Sequence, residues 1–183
     1  MHNIEPFYHW RHLYVAEEDE RSPFFGKTYS EFEFSNTIYN YYIHPQWDDI
    51  DSDTLYAKIL FADYDDGFAV IELIGEWNDA INNDILFLKQ NLIDHLIEQG
   101  IIKFAIITEQ VLNFHASDDS YYEEWKDEIK DGWIIFMHPL EHVQREMESI
   151  YLYRQVYFLG EDEGIIWRKH SPTTLLQALE DWI

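Results

Sequence analysis

Apolar positions along this chain of 183 residues either alternate with polar ones or recur every three to four residues, and each period implies an element. Residues 28–34 alternate, with Phe32 and Phe34 on one face and Glu31 and Glu33 on the other. A turn signal at Ser35-Asn36 and a stretch rich in Tyr and Ile follow, so 28–44 is predicted as a hairpin ended by Pro45. A second hairpin, 55–64 and 68–74, flanks Asp65-Asp66-Gly67, where Asp-Gly suits the positive φ of a tight turn. Ile81, Ile85, Leu88, Leu92 and Leu96 then predict a helix over 82–99, with Asn78 or Asn82 as N-cap and Gly100 as the stop.

The pattern next switches between short apolar runs and amphipathic stretches. Residues 101–107 and 133–137 are nearly continuous apolar runs, as strands covered on both faces are. Between them, 120–132 is predicted as a helix bearing Tyr122, Trp125 and Ile129, with capping-box spacing at Ser120 and Glu123. Pro139 suits the first turn of another helix, with Leu140, Val143, Met147 and Ile150 on one face. Strands at 152–159 and 164–168 and a helix at 173–182 complete the series. This succession implies right-handed crossovers, a parallel βαβ core and a mixed sheet extended by antiparallel N-terminal hairpins. The fold class is α/β with helices packed on the sheet. One domain is expected, 1–183, with an aromatic-rich acidic region at 1–54 and the α/β core at 55–183.

Charge narrows the function. Twelve basic residues against 36 acidic leave a formal charge of −24, so nucleic acid is an unsuitable partner and anionic membrane surfaces are disfavoured. No run approaches the roughly 18 apolar residues of a membrane helix, and a cytoplasmic location is expected. Without cysteine there is no thiolate nucleophile or disulfide. Of the 32 aromatic residues, 14 fall within residues 1–56 beside 11 acids. Rings in excess of what the core needs point to a homo-oligomer, or to contact with another protein.

Motifs that would carry chemistry are sparse. There is no glycine-rich phosphate loop and no Gly-x-Ser-x-Gly elbow, and no cofactor is expected. His138-Pro139-Leu140-Glu141-His142 matches a zinc-binding pattern, but Pro139 disfavours helical geometry at His138, so no metal site is expected. Asp49, Asp51 and Asp53 match the first ligand positions of a calcium loop, yet Thr54 replaces the glycine and Leu60 the closing glutamate. Topology offers more, because ligands in parallel sheets gather beyond the C-terminal strand ends. Trp77, Asn78 and Asp79 follow one strand; Glu109, Asn113, His115 and Asp118 lie in a predicted loop, 108–119, after the next; His138, Glu141 and His142 follow the third. His115 and His138 are the candidate acid or base groups, with Glu109 or Asp118 to orient them.

In its order of elements, 55–159 resembles the STAS domains of anti-sigma-factor antagonists, in which a hairpin precedes alternating helices and strands. Those domains carry a regulatory serine where a strand leads into a helix, and Ala116-Ser117-Asp118-Asp119-Ser120-Tyr121 lies at the comparable place. The family's following glycine is missing, and Asp118, Asp119, Glu123 and Glu124 would repel a phosphate, so Ser120 reads as an N-cap. The expected function is a non-enzymatic interaction or regulatory domain; the alternative is a small hydrolase-like enzyme using the histidines and carboxylates at the strand ends.

Overall fold

A two-stranded ribbon, β1 (Thr37–Ile38) and β2 (Tyr41–Tyr42), precedes a six-stranded sheet in the computed structural model, which describes residues 4–183. The sheet runs in chain order: β3 (Asp48–Asp49), β4 (Leu55–Asp63), β5 (Phe68–Asn78), β6 (Lys103–His115), β7 (Trp133–Met137) and β8 (Tyr157–Leu159). The first two pairings are antiparallel and the remaining three parallel, the mixed sheet that the element order implies. Gly67, in the β4–β5 turn, takes a positive φ of 64°. Gly75, at a break in the β5–β6 register, has φ 118°, and a Cβ there would sit 2.0 Å from the Thr54 carbonyl oxygen.

The three parallel crossovers run through a helix of α1 (Asp84–Leu88), a π-helical turn (Lys89–Ile93) and α2 (Asp94–Glu98), then α3 (Ser120–Ile129), then α4 (Glu141–Ser149). All of them pack on one face, where Leu88, Leu92, Leu96, Trp125 and Met147 meet Ile71, Phe104, Ile106 and Phe136. Right-handed crossovers in a sheet of sequential strand order must return on the same side. The opposite face, with Val70, Ala105, Ile107 and Ile135, is covered by α5 (Pro172–Trp182), Trp167 and the N-terminal Phe7 and Trp10. Part of the N-terminal excess of rings therefore closes the chain's own sheet.

Several predicted elements differ. Residues 28–34 form no strand, and the hairpin expected at 28–44 shrinks to the β1–β2 ribbon turning at Tyr39. The predicted loop 108–119 is mostly strand, because β6 continues to His115 alongside β5. The apolar pattern had stopped at 107, whereas backbone pairing runs on past a bulge. Asp48 belongs to β3, and its buried carboxylate lies 3.3 Å from the Lys58 ammonium. Asp119, not Ser120, is the N-cap of α3, and Leu140 that of α4, with Pro139 outside the helix. Asn83, in a left-handed conformation, precedes α1 in place of Asn78 or Asn82. The strand expected at 152–159 is only β8, preceded by a 3-10 turn, and 164–168 holds no strand but runs into the 3-10 turn Trp167–Lys169.

Candidate functional site

On the face opposite the crossover helices, even-numbered positions of β5 and odd-numbered positions of β6 carry the sheet's apolar rows toward its C-terminal edge. Phe68 and Val70 give way to Glu72, and Ala105 and Ile107 to Glu109. Glu109 Oε1 accepts hydrogen bonds from Trp167 Nε1 at 2.7 Å and from His138 Nδ1 at 3.0 Å, while Arg168 Nη1 lies 2.6 Å from Oε2. Burial works against the Glu109 charge, but the three donors prevail and hold its carboxyl below the usual range. His138 is buried in a left-handed conformation, φ 53°, which keeps it out of α4 and prevents the helical His-x-x-Glu-His geometry. Its Nε2 meets the Ile165 carbonyl at 3.0 Å. Both ring nitrogens therefore face oxygens of the protein itself, and neither is directed at an open site.

The other residues expected to act do not join this cluster. His115 is exposed at the end of β6, with Nε2 4.0 Å from Glu76 Oε2, and Asn113 Nδ2 donates to Glu76 Oε1 at 3.2 Å. Asp118 is exposed and accepts from the Ser120 hydroxyl and from its N–H at 3.0 Å, which holds the Asp118 carboxyl below its ordinary value. His142 Nε2 meets the Leu112 carbonyl at 2.7 Å, and Glu141 pairs with Arg145 in solvent. Trp77, Asn78 and Asp79 are buried; Trp77 and Asp79 lie on the helix side, and Asn78 lines the hollow beside Thr37, Tyr39 and Asp53. Asp79 accepts from Trp77 Nε1 at 2.9 Å, the Ile85 N–H at 2.8 Å and the Tyr122 hydroxyl at 2.6 Å. Burial raises its carboxyl to about 6, against those donors. Beside it, the Asn78 N–H and the Ser52 hydroxyl bond to Asp84, which ties the β3–β4 connection to the start of α1. This network fastens loops. Among the described residues no cluster of three His, Asp or Glu side chains is placed to hold a metal.

Two surface features had no place among the sequence candidates. The first is a cleft of about 230 Å³ between residues 5–9 and Glu72, Gln110 and Arg168. Glu72 accepts the Phe7 N–H at 2.8 Å through Oε2, and burial raises its carboxyl to about 7. A lone acid inside the apolar run of β5 was the available signal. The second is an apolar groove of about 150 Å³, in which Ile38, Tyr39 and Tyr41 of the ribbon face Ile74, Glu76 and Leu112 of β5 and β6. It arises because both central strands project past their partners, which the sequence pattern had assigned to a loop.

No family model and no curated protein matches the chain. Solved structures similar to it include TM1081 of Thermotoga maritima, described as an anti-sigma factor antagonist, at 17% identity, covering 68% of this chain and 92% of that one with a TM-score of 0.44. The unphosphorylated anti-sigma factor antagonist SpoIIAA matches at 16% identity over 52% of this chain and 83% of that one, TM-score 0.39. The phosphorylated Bacillus cell fate determinant SpoIIAA matches at 15% identity over 58% and 94%, TM-score 0.41. The resemblance to anti-sigma factor antagonist structures extends over 52–68% of the chain at low identity. No helix among the described residues is long and apolar enough to cross a membrane.

Proposed function

We propose that this chain is a non-enzymatic interaction domain that docks a basic protein segment bearing apolar side chains in the groove between the β1–β2 ribbon and the ends of β5 and β6. The observation that carries this reading is the exposure of Tyr39, Tyr41 and Leu112 (61, 64 and 50%) around an apolar groove rather than singly. Charge selects the partner. Glu76 lies in the groove, Asp53 lines the adjoining hollow beside Tyr39, and the whole chain carries −24. A second copy of the chain would bring the same charge and be repelled. The hydrolase-like alternative has less support, because His138 and Glu109 satisfy one another while His115 and Asp118 stand apart.

The test uses a short labelled peptide alternating Lys with Leu or Phe, followed by fluorescence anisotropy. Tyr39→Ser with Tyr41→Ser leaves the net charge unchanged, so it separates groove docking from general attraction to an acidic surface. Binding weakened about tenfold or more by that pair, a loss of about 1.4 kcal/mol, supports the proposal. Binding indifferent to the pair overturns it. So does a dimer in light scattering that the same pair dissolves, which would make a second copy the occupant.

A further inference from the structure

We propose that the cleft beside Glu72 binds a small organic cation, an amidine, guanidine or primary amine on a compact apolar body. This inference is independent of the groove and of the docking reading. Glu72 is 2% exposed yet lines the cleft. Its Oε2 takes the Phe7 N–H, and among the described residues its Oε1 accepts nothing. That oxygen is not sealed in the core but reachable from the cleft, and a cationic ligand N–H aimed at it forms a charge-assisted hydrogen bond.

The walls favour a cation. Arg168 lines the cleft with Glu72, but its Nη1 pairs with Glu109 Oε2 at 2.6 Å and its guanidinium lies 4.3 Å over the Trp167 ring. An anion entering here would meet the carboxylates of Glu5 and Glu72, and the Nη1 of Arg168, the one arginine in the wall, is already paired with Glu109. Pro6, Phe7 and Tyr8 supply an apolar and aromatic wall, which suits the flat body of an amidinium and attracts positive charge to the ring faces. The Gln110 side chain adds one further polar wall. At about 230 Å³ the cleft is smaller than the roughly 300–1,000 Å³ of drug-sized pockets, so the ligand is compact. The field of a chain at −24 concentrates such cations at its surface.

Benzamidine is the probe, with benzamide and benzoate as neutral and anionic matches of the same shape. Calorimetry measures affinity, and amide chemical-shift mapping locates it. The expected result is benzamidine binding that shifts the amides of Phe7, Tyr8, His9 and Gln110 and weakens about tenfold or more in Glu72→Gln. Glu72→Gln keeps an acceptor for the Phe7 N–H, and its amide spectrum reports whether it is folded. Tyr39→Ser with Tyr41→Ser should leave benzamidine binding unchanged, which separates this site from the groove. Equal binding of benzamide or benzoate, unchanged affinity in folded Glu72→Gln, shifts confined to other residues, or no binding at about 10 mM (an affinity below roughly 3 kcal/mol) each overturns the proposal.

Discussion

Glu72 and Glu109 stand on adjacent parallel strands and the same face of the sheet, and their surroundings drive them in opposite directions. Burial with a single N–H donor raises Glu72 to about 7, and the Glu109 charge adds to that rise. Glu109 resists its own burial through His138, Trp167 and Arg168, and titrates below its ordinary value. One carboxylate is built in as a permanent charge, and its neighbour is balanced between its two forms at neutral pH.

Glu72 should therefore make stability fall as pH rises. Below its ordinary value of 4.5 the group is protonated folded or unfolded, and its ionisation adds nothing. Between 4.5 and about 7 only the unfolded chain releases the proton, so folding is progressively disfavoured; above about 7 the penalty is complete. At about 1.4 kcal/mol per pKa unit it reaches roughly 3 kcal/mol. Arg168, Glu109, His9 and Glu5 are the charged or titratable groups around the cleft. Urea unfolding of Glu72→Gln against the parent should show no advantage near pH 4 and one of roughly 2–3 kcal/mol near pH 8. A difference independent of pH contradicts this.

Asp79 distinguishes shape from charge. Asp79→Ala leaves Trp77 Nε1, the Ile85 N–H and the Tyr122 hydroxyl unpaired in the core and should destabilise by about 3 kcal/mol or more. Asp79→Asn can keep its oxygen on Trp77 and Ile85 and turn its amide to Tyr122, whose hydroxyl can accept. Its loss should be under about 1 kcal/mol, readable as a shift in denaturant midpoint.

Lys89 holds Asp94 at 2.7 Å, Glu128 at 2.9 Å and Glu124 at 3.0 Å, and its own side chain is buried. Burial alone would lower its pKa, but the three carboxylates raise it. Lys89→Met keeps the apolar stem and leaves three partly exposed carboxylates facing one another. Thermal melts at low salt should show a loss of about 1–2 kcal/mol, partly recovered at high salt by screening. A loss that salt does not alter would point to packing instead.

Gly75→Ala should be among the most damaging substitutions of a small residue. A φ of 118° excludes L side chains, and the added methyl would collide with the Thr54 carbonyl where β5 leaves its register with β6. A loss of more than about 3 kcal/mol by chemical denaturation is expected, and Gly75→Asn should do no better.

The sequence by itself determined the succession of elements from β4 to α4, because each buries a face whose period shows in the order of apolar residues. It also determined that His138 lies outside the helix, since Pro139 restricts the residue before it. Charge arithmetic gave the sign of the chain's own field. Tertiary structure decided the rest. Residues 108–115 became strand through backbone pairing with β5, which leaves no hydrophobic period to read. The placement of all three crossovers on one face, and of Phe7, Trp10 and α5 on the other, followed from crossover handedness and not from any local pattern. Glu72 was visible as an isolated acid, but only the packing of residues 5–9 over it made a cleft, because a pocket is a relation between segments distant in the chain.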